Sequence, residues 1–212
     1  MAIYIISVVP EFFFRLVGWI LIHSIYRIKK EDLHHIPEEG AALLVCNHVS
    51  YADPVIINAI SPRPIRFVMI NQVYQIPIAK KVFKWVNAIP IAPMKENPEL
   101  LEKAYDKIAD ALANNELVCI FPEGTISRDG ELGEFLPGIE KIVQRTPVPV
   151  VPLAIRGLWG TWFSRQKGRA MKGLPRSFMK RLSVVSGEPV DPQNMTSKIM
   201  HGKVLELRGD EK

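Results

Sequence analysis

Short apolar runs alternate with longer amphipathic stretches from residue 31 onward, and no other feature of this sequence constrains the fold as much. Residues 41–46 (AALLVC) and 117–121 (LVCIF) have the length and content of buried strands. Residues 98–114 instead repeat apolar side chains at helical spacing, with Pro98 at the entry. Strand and helix in succession predict an α/β domain. Further strands are predicted over 66–69, 148–155 and 182–185, and further helices over 54–60, 78–86 and 197–207.

The composition is that of one globular domain. The 212 residues are 48% hydrophobic and 23% charged, which argues against a disordered chain, a collagenous repeat and a polytopic membrane protein. No repeat or linker interrupts residues 31–192, so we expect one domain there, followed over 193–212 by a helix and a charged tail. Cys46 and Cys119 lie far apart without paired spacing, so we expect neither a disulfide nor a zinc site, and a reducing, cytosol-facing location.

Residues 1–30 are almost wholly apolar or aromatic until a basic cluster ends the segment. Three residues break the apolar stretch: Pro10, Glu11 and Arg15. The run that remains is shorter than the about twenty residues a spanning helix needs. We therefore expect an apolar helix in the membrane interface, with Trp19 and Tyr26 at headgroup level. A helix packed on the domain's own core is the alternative, and a third is the end of a linker from a preceding membrane domain.

The charge balance favours an anionic partner. The chain carries 27 Lys and Arg against 22 Asp and Glu, and residues 165–181 hold a cluster of cations without an acidic residue. Aromatic residues directly precede that cluster, a combination that suits a membrane with anionic headgroups. A solvated loop is the alternative, and no nucleic-acid-binding motif accompanies the cations, so no nucleic-acid partner is expected. The candidate docking residues are Trp19, Arg165, Lys167, Arg169, Lys172 and Arg176.

A polar segment, residues 46–54 (CNHVSYADP), directly follows the first buried strand. In open α/β sheets ligands bind at the carboxyl ends of strands. Asp53 lies five positions after His48, so a loop that folds back would form a His-Asp pair able to act as a general base. The alternative is a structural histidine and an aspartate that caps a helix beginning at Pro54.

A second polar segment, residues 121–128 (FPEGTISR), follows the other clear strand. Gly124 permits a tight turn that exposes backbone N–H groups, and Thr125 and Ser127 add hydroxyls. Arg128 can donate a bidentate pair of hydrogen bonds to a phosphate. An anion pocket is one interpretation, and an ordinary turn is the other.

With these segments in this order, the sequence resembles the glycerolipid acyltransferases typified by bacterial 1-acylglycerol-3-phosphate acyltransferase. His48 and Asp53 fit the family's signature of histidine, four residues and aspartate. Residues 121–125 fit its Phe-Pro-Glu-Gly-Thr block, 88–91 its intermediate block and 148–153 its later valine-proline block. The chain is also similar to the acyltransferase domains that bacteria fuse to lysophospholipid transporters and to acyl-carrier-protein synthetases.

The resemblance implies a mixed, largely parallel sheet flanked by helices and an enzyme on the cytoplasmic face of a bacterial inner membrane. It implies that His48, oriented by Asp53, deprotonates a lysophospholipid hydroxyl, which attacks the thioester of acyl-CoA or acyl carrier protein. Glu123, Gly124 and Thr125 would position the acceptor, and Arg128 is our own candidate for its phosphate. We expect no metal and no redox cofactor, because a thioester is activated enough for a base and orientation to suffice.

Two departures from the family pattern bear on the acceptor. Many members have an arginine where this chain has Ile126, and they end the intermediate block near an arginine, whereas here Lys95 is the nearest cation. A phosphate dianion favours more than one charge-assisted partner, so these departures count against a bare phosphomonoester and in favour of lysophosphatidylethanolamine as the alternative acceptor. Lysophosphatidate remains the leading acceptor because the resemblance implies it as the commonest one in the family. A non-catalytic lipid-binding module and a hydrolase that uses the same pair remain as other classes of function.

Overall fold

A computed structural model describes residues 2–166, 168, 170–171 and 179–211. The strands are β1 (Tyr26–Glu31), β2 (Ala42–Cys46), β3 (Ile65–Ile70), β4 (Ile89–Ile91), β5 (Leu117–Ile120), β6 (Val150–Arg156) and β7 (Lys180–Ser186). The α-helices are α1 (Ala2–Ile25), α2 (Asp53–Ile60), α3 (Asn71–Tyr74), α4 (Pro77–Trp85), α5 (Pro98–Ala113), α6 (Gly138–Arg145) and α7 (Ser197–Arg208). Short 3₁₀ turns occupy Leu33–His35 and Pro192–Asn194.

Within this described part, one seven-stranded sheet has the order β1-β7-β6-β2-β5-β3-β4. Only the β6–β7 pair is antiparallel among these strands, so the prediction of a mixed, largely parallel sheet is confirmed. Leu44 pairs with Cys119 of β5 on one side and Val151 of β6 on the other. Because β2, β5 and β6 are parallel, their carboxyl ends lie at one edge of the sheet, and the two polar segments of the sequence follow two of those ends.

Two apolar layers cover the two faces of the sheet. Successive strand residues point to opposite faces, so Leu44 packs with Ile22 of α1 and Ile56 of α2. Its neighbour Leu43 joins the other layer, which contains side chains of α5, α6 and α7. Burial on both faces explains why β2 and β5 are continuous apolar runs rather than alternating ones.

The predicted helices agree with the structure to within a few residues. The Asn97 side chain accepts the Leu100 N–H at 2.8 Å and caps α5, with Pro98 in the first turn as expected. Helices α3 and α6 and strands β1 and β4 were not predicted. Strand β4 is three residues long and contains Pro90, which is tolerated because β4 is an edge strand.

The N-terminal segment forms the expected helix, but this helix ends at Ile25 and the chain continues as edge strand β1. The placement of Tyr26 at headgroup level was wrong, because the alternation of β1 turns this side chain inward, where it is 2% exposed. Helix α1 packs on α2, with Gly18 close to Val55 and Arg15 Nη2 donating to the Ser61 carbonyl at 2.9 Å. None of the described helices has both the length and the apolar content needed to cross a membrane.

Candidate active site

His48 and Asp53 come together at the carboxyl end of β2, as the sequence predicted. His48 Nδ1 lies 2.7 Å from Asp53 Oδ2, and this oxygen also accepts the backbone N–H groups of Val49 and Ser50 at 2.8 and 2.9 Å. Asp53 is the first residue of α2 and is fully buried. Its side-chain hydrogen bonds go to His48, Val49 and Ser50, which all precede α2, so Asp53 does not cap this helix by a side-chain hydrogen bond.

The three contacts at Asp53 Oδ2 determine the tautomer of His48. A carboxylate oxygen only accepts, so Nδ1 must carry the proton, and the lone pair of the neutral imidazole is then on Nε2. Nε2 has no hydrogen-bond partner in the described part of the chain. The His48 side chain is 17% exposed, so solvent and small molecules can reach it. This is the geometry of a general base with an oriented imidazole.

The segment that carries His48 is fixed to the neighbouring strand by Asn47. The buried amide of Asn47 donates to the Ile155 carbonyl at 3.0 Å and accepts the Ile155 N–H at 2.8 Å, which extends the β2–β6 pairing by one side chain. The sequence pattern alone does not single out Asn47. The signal available in the sequence was its position, a polar residue between a buried strand and the candidate base.

The second polar segment holds the His48 backbone from the other side. Glu123 Oε1 accepts the His48 N–H at 2.6 Å, and the Ser127 N–H donates to the His48 carbonyl at 2.8 Å. Glu123 Oε2 accepts the Gly133 N–H at 2.8 Å. Burial raises the pKa of Glu123, and the two backbone donors oppose that rise. Both oxygens of this predicted acceptor-binding residue therefore brace the loops around His48.

Aromatic stacking sets the plane of the imidazole. The ring of His48 stacks on Phe121 with 4.2 Å between centroids, and Phe121 stacks in turn on Phe67 of β3. Phe121 is the first residue of the Phe-Pro-Glu-Gly-Thr block, so the block supplies both the floor under the imidazole and the carboxylate that holds its backbone. With Asp53 and Phe121 in contact with it, the ring has little freedom to rotate.

The remaining predicted residues are exposed at this edge of the sheet. Gly124 has φ +66°, the left-handed turn expected of it, and Thr125 and Arg128 follow it on the surface. Lys95 is also exposed and follows β4, which lies three places along the sheet from β2. At about 4.8 Å per strand, this offset is about 14 Å, so Lys95 lies toward the periphery and Arg128 on the segment bonded to His48.

The basic stretch is described only in part. Arg165 is half-buried after the Thr161–Ser164 turn, and Lys180 donates to the Trp159 carbonyl at 2.9 Å at the start of β7. Lys167, Arg169, Lys172 and Arg176 lie outside the described residues. Trp19 is exposed on α1 and stacks on His23.

A family model described as Acyltransferase matches residues 27–156, more than half of the chain and the part that contains β1 to β6. The chain belongs to this acyltransferase family. The match includes His48, Asp53 and the Phe-Pro-Glu-Gly-Thr block, so the fixed imidazole lies inside the acyltransferase region.

Individual relatives of this acyltransferase are themselves named as acyltransferases. The chloroplastic 1-acyl-sn-glycerol-3-phosphate acyltransferase of Arabidopsis thaliana is 29% identical over 148 residues, which is 69% of this chain and 41% of that protein. A Mycoplasma pneumoniae protein named "Probable 1-acyl-sn-glycerol-3-phosphate acyltransferase" is 25% identical over 186 residues, 85% of this chain and 68% of that one. The acyltransferase thus spans about two-fifths of the length of the plant relatives it matches.

A solved structure shares the fold. The crystal structure of the 1-acyl-sn-glycerophosphate acyltransferase PlsC from Thermotoga maritima has a TM-score of 0.68 and 21% sequence identity, and the match covers 92% of this chain and 74% of that one. The α/β architecture of the acyltransferase is therefore that of a known acyltransferase structure.

Proposed function

We propose that this acyltransferase moves a fatty acyl group from a thioester to the free hydroxyl of 1-acyl-sn-glycerol-3-phosphate, giving phosphatidate. The observation that carries the proposal is the His48–Asp53 pair at 2.7 Å, with Nε2 of the imidazole directed away from its buried partner. The printed names of the relatives support lysophosphatidate as the acceptor. Acyl-CoA and acyl carrier protein are both suitable donors.

The proposed reaction needs one proton carrier. His48 Nε2 takes the proton of the acceptor hydroxyl while its oxygen attacks the thioester carbonyl carbon. The C–O bond forms, the tetrahedral intermediate collapses, and the C–S bond breaks. The imidazolium, stabilised by Asp53, returns the proton to the leaving thiolate. The products are an ester and a thiol, and no acyl-enzyme is required.

The acceptor phosphate is proposed to lie beside the exposed turn that carries Thr125 and Arg128. Arg128 supplies a forked pair of donors, and Thr125 adds a hydroxyl. Lys95 is the more distant cation along the same edge. If this turn is the only charged contact, discrimination between lysophosphatidate and lysophosphatidylethanolamine will be modest, because both carry a phosphate.

An exposed apolar surface suits the membrane in which such an acceptor resides. Helix α1 exposes large apolar side chains on the side away from α2, and Phe14 of α1 stacks on Trp85 of α4 at 5.3 Å. We call this surface the apolar face: Phe12, Phe13, Leu16, Trp19, Ile20 and Trp85. Phe12 is 67% exposed and Trp85 50% exposed. Helix α4 adds three lysines beside it, Lys80, Lys81 and Lys84, which suit anionic headgroups.

Membrane binding can be tested by sedimentation with vesicles that contain phosphatidylglycerol. We expect the double variant Phe13→Glu/Ile20→Glu to lose binding, and neutralisation of the α4 lysines to weaken it by about fivefold per lysine, more at low salt. Ile199→Glu is the matched control, because Ile199 is an exposed apolar residue on α7, in the opposite layer of the sheet. Equal losses in the control would contradict the apolar face as the docking surface.

The reaction can be tested by transfer from a radiolabelled acyl thioester to a panel of lysophospholipids in mixed micelles. We expect transfer to lysophosphatidate, lost in His48→Ala while folding and vesicle binding persist. Fatty acid released without an acceptor would indicate a hydrolase. Vesicle binding without transfer to any acceptor, with His48→Ala indistinguishable from the wild type, would indicate a lipid-binding module.

Asp53→Asn refines the test. Three donors converge on Oδ2, while Oδ1 is buried without a hydrogen-bond partner in the described part of the chain. The amide oxygen of asparagine should therefore replace Oδ2, which keeps the Nδ1–H tautomer and removes only the charge. We expect a fall in kcat of about 10- to 100-fold, the value of one hydrogen bond to a charged group, with the fold intact. A loss as complete as that of His48→Ala would show that the tautomer is also lost.

A further inference from the structure

An arginine at the end of α7 is buried against the loop that follows the Phe-Pro-Glu-Gly-Thr block. Arg208 is 6% exposed, and its Nη1 donates to the Gly130 carbonyl at 2.8 Å. Its Nη2 contacts Glu131 Oε2 at 3.2 Å. Nε of the same guanidinium is buried with no hydrogen-bond partner in the described part of the chain. The polar contacts of this cation are therefore directed at residues 130–131.

The residue that Arg208 holds is connected to the catalytic histidine by two further hydrogen bonds. The Gly130 N–H donates to Ser127 Oγ at 2.9 Å, and the Ser127 N–H donates to the His48 carbonyl at 2.8 Å. Arg128, the candidate phosphate ligand, lies in the turn between these two points. The C-terminal helix thus reaches the acceptor side of the site through a continuous series of hydrogen bonds.

The turn at residues 127–131 has little freedom to adopt another shape. Gly130 has φ +84°, and a Cβ at this position would lie 2.8 Å from the indole of Trp159. Ser127 Oγ also donates to Asp129 Oδ1 at 3.0 Å. On the side facing α7, the charged guanidinium of Arg208 contacts this turn at the Gly130 carbonyl and the Glu131 carboxylate. Burying a cation costs free energy unless its partners are well placed. The buried position of Arg208 against this turn therefore suggests that the side chain does more than pack.

We propose that Arg208 is a positioning residue for the acceptor, which holds the 127–131 turn so that Arg128 faces the phosphate of lysophosphatidate. This inference rests on the proposed function and names a residue outside the family-matched region, since that region ends at residue 156. Arg208 does not touch the substrate. It acts on acceptor binding through Gly130 and not on the proton transfer at His48.

The test compares Arg208→Met and Arg208→Lys with a control on the same helix end. Arg156 of β6 donates from Nε to the Leu207 carbonyl at 2.6 Å, so Arg156→Met loosens α7 without touching the turn. Acyl transfer is measured with varied lysophosphatidate and with varied acyl-CoA, and lysophosphatidate binding by calorimetry in detergent micelles. Thermal unfolding of each variant is measured in parallel.

We expect Arg208→Met to raise KM and Kd for lysophosphatidate about tenfold, the effect of losing one hydrogen bond from a charged group. Its kcat and its KM for acyl-CoA should change less than about twofold, and Arg208→Lys should restore part of the affinity because one donor to Gly130 is retained. Arg156→Met should lower Tm and leave the KM for lysophosphatidate unchanged.

Other outcomes overturn the inference. Equal increases in KM for both substrates, or the same increase in Arg156→Met, would mean that Arg208 acts only through stability. A lower kcat with unchanged acceptor affinity would mean that the turn acts on His48. A wild type that binds lysophosphatidate without transferring to it refutes the proposed function alone, and the Kd comparison still decides the role of Arg208. A wild type that neither binds nor transfers to lysophosphatidate refutes both.

Discussion

Replacing Glu123 by glutamine tests whether this side chain braces the site or binds the acceptor. Glu123 is 9% exposed, and its two oxygens accept the N–H groups of His48 and Gly133 at 2.6 and 2.8 Å. Glutamine is nearly isosteric, but it has one carbonyl oxygen and one NH₂ group. Whichever way the amide turns, one backbone N–H then faces another donor in a buried position.

The magnitude follows from those two contacts. A hydrogen bond to a charged group contributes about 1.5–3 kcal/mol, and an unsatisfied buried donor costs about 1–3 kcal/mol. Relief of the buried charge, which the raised pKa of Glu123 reflects, offsets part of this loss. We expect a net destabilisation of about 2 kcal/mol, which for a chain of this length lowers Tm by about 4–8 °C. Because the His48 backbone is released, kcat should fall by about 100-fold.

The assay is thermal and urea unfolding together with the kinetics of acyl transfer. Glu134→Gln is the matched control, because Glu134 lies exposed in the same loop, and we expect its stability to stay within about 0.5 kcal/mol of the wild type. An unchanged Tm in Glu123→Gln with a higher KM for lysophosphatidate would refute the bracing role and favour direct acceptor binding.

The pH dependence provides a second readout of the same variant. Burial raises the folded-state pKa of Glu123 above its unfolded value, so the folded protein binds this proton more tightly. Its contribution to stability is therefore greatest below the unfolded pKa and is lost as pH rises through the folded pKa. The stability advantage of the wild type over Glu123→Gln should shrink over that range of pH, and a constant advantage would show that burial does not shift this pKa.

Two further predictions concern residues away from the chemistry. Arg63 donates to the backbone carbonyls of Pro37, Gly40 and Asn115. Arg63→Ala should therefore lower the free energy of unfolding, measured by urea titration, by about 2–4 kcal/mol and leave the KM for the acceptor unchanged. An altered KM would contradict a purely structural role. Burial raises the pKa of Cys46 and Cys119, so neither thiol should react with a disulfide reagent at pH 8 until denaturant is added, and rapid labelling of the native protein would be the contrary result.

The sequence could predict what depends on local pattern. Residues 41–46 and 117–121 are apolar enough to require burial on both faces, and this requirement placed His48 and Glu123 at one edge of the sheet. The sequence pattern could not predict that Glu123 accepts the His48 N–H, because the two residues are 75 positions apart and no periodicity relates them. Strand β1 did carry a signal, the inward alternation of Tyr26 and Ile28, but the apolar helix before it masked the change of period.

The departure at Ile126 is explained by the same loop geometry. Ile126 is 6% exposed, so this position faces the interior, and the bonds of Ser127 to His48 and Gly130 hold it there. Two residues later Arg128 emerges on the surface, and it is the only cation between residues 121 and 136. In this chain the side chain at position 126 packs in the interior, and the candidate phosphate ligand, Arg128, lies two residues further along the loop on the surface. The guanidinium of Arg208 contacts the same turn from the side of α7, donating to the Gly130 carbonyl at 2.8 Å, and this contact is the basis of the positioning role proposed for it.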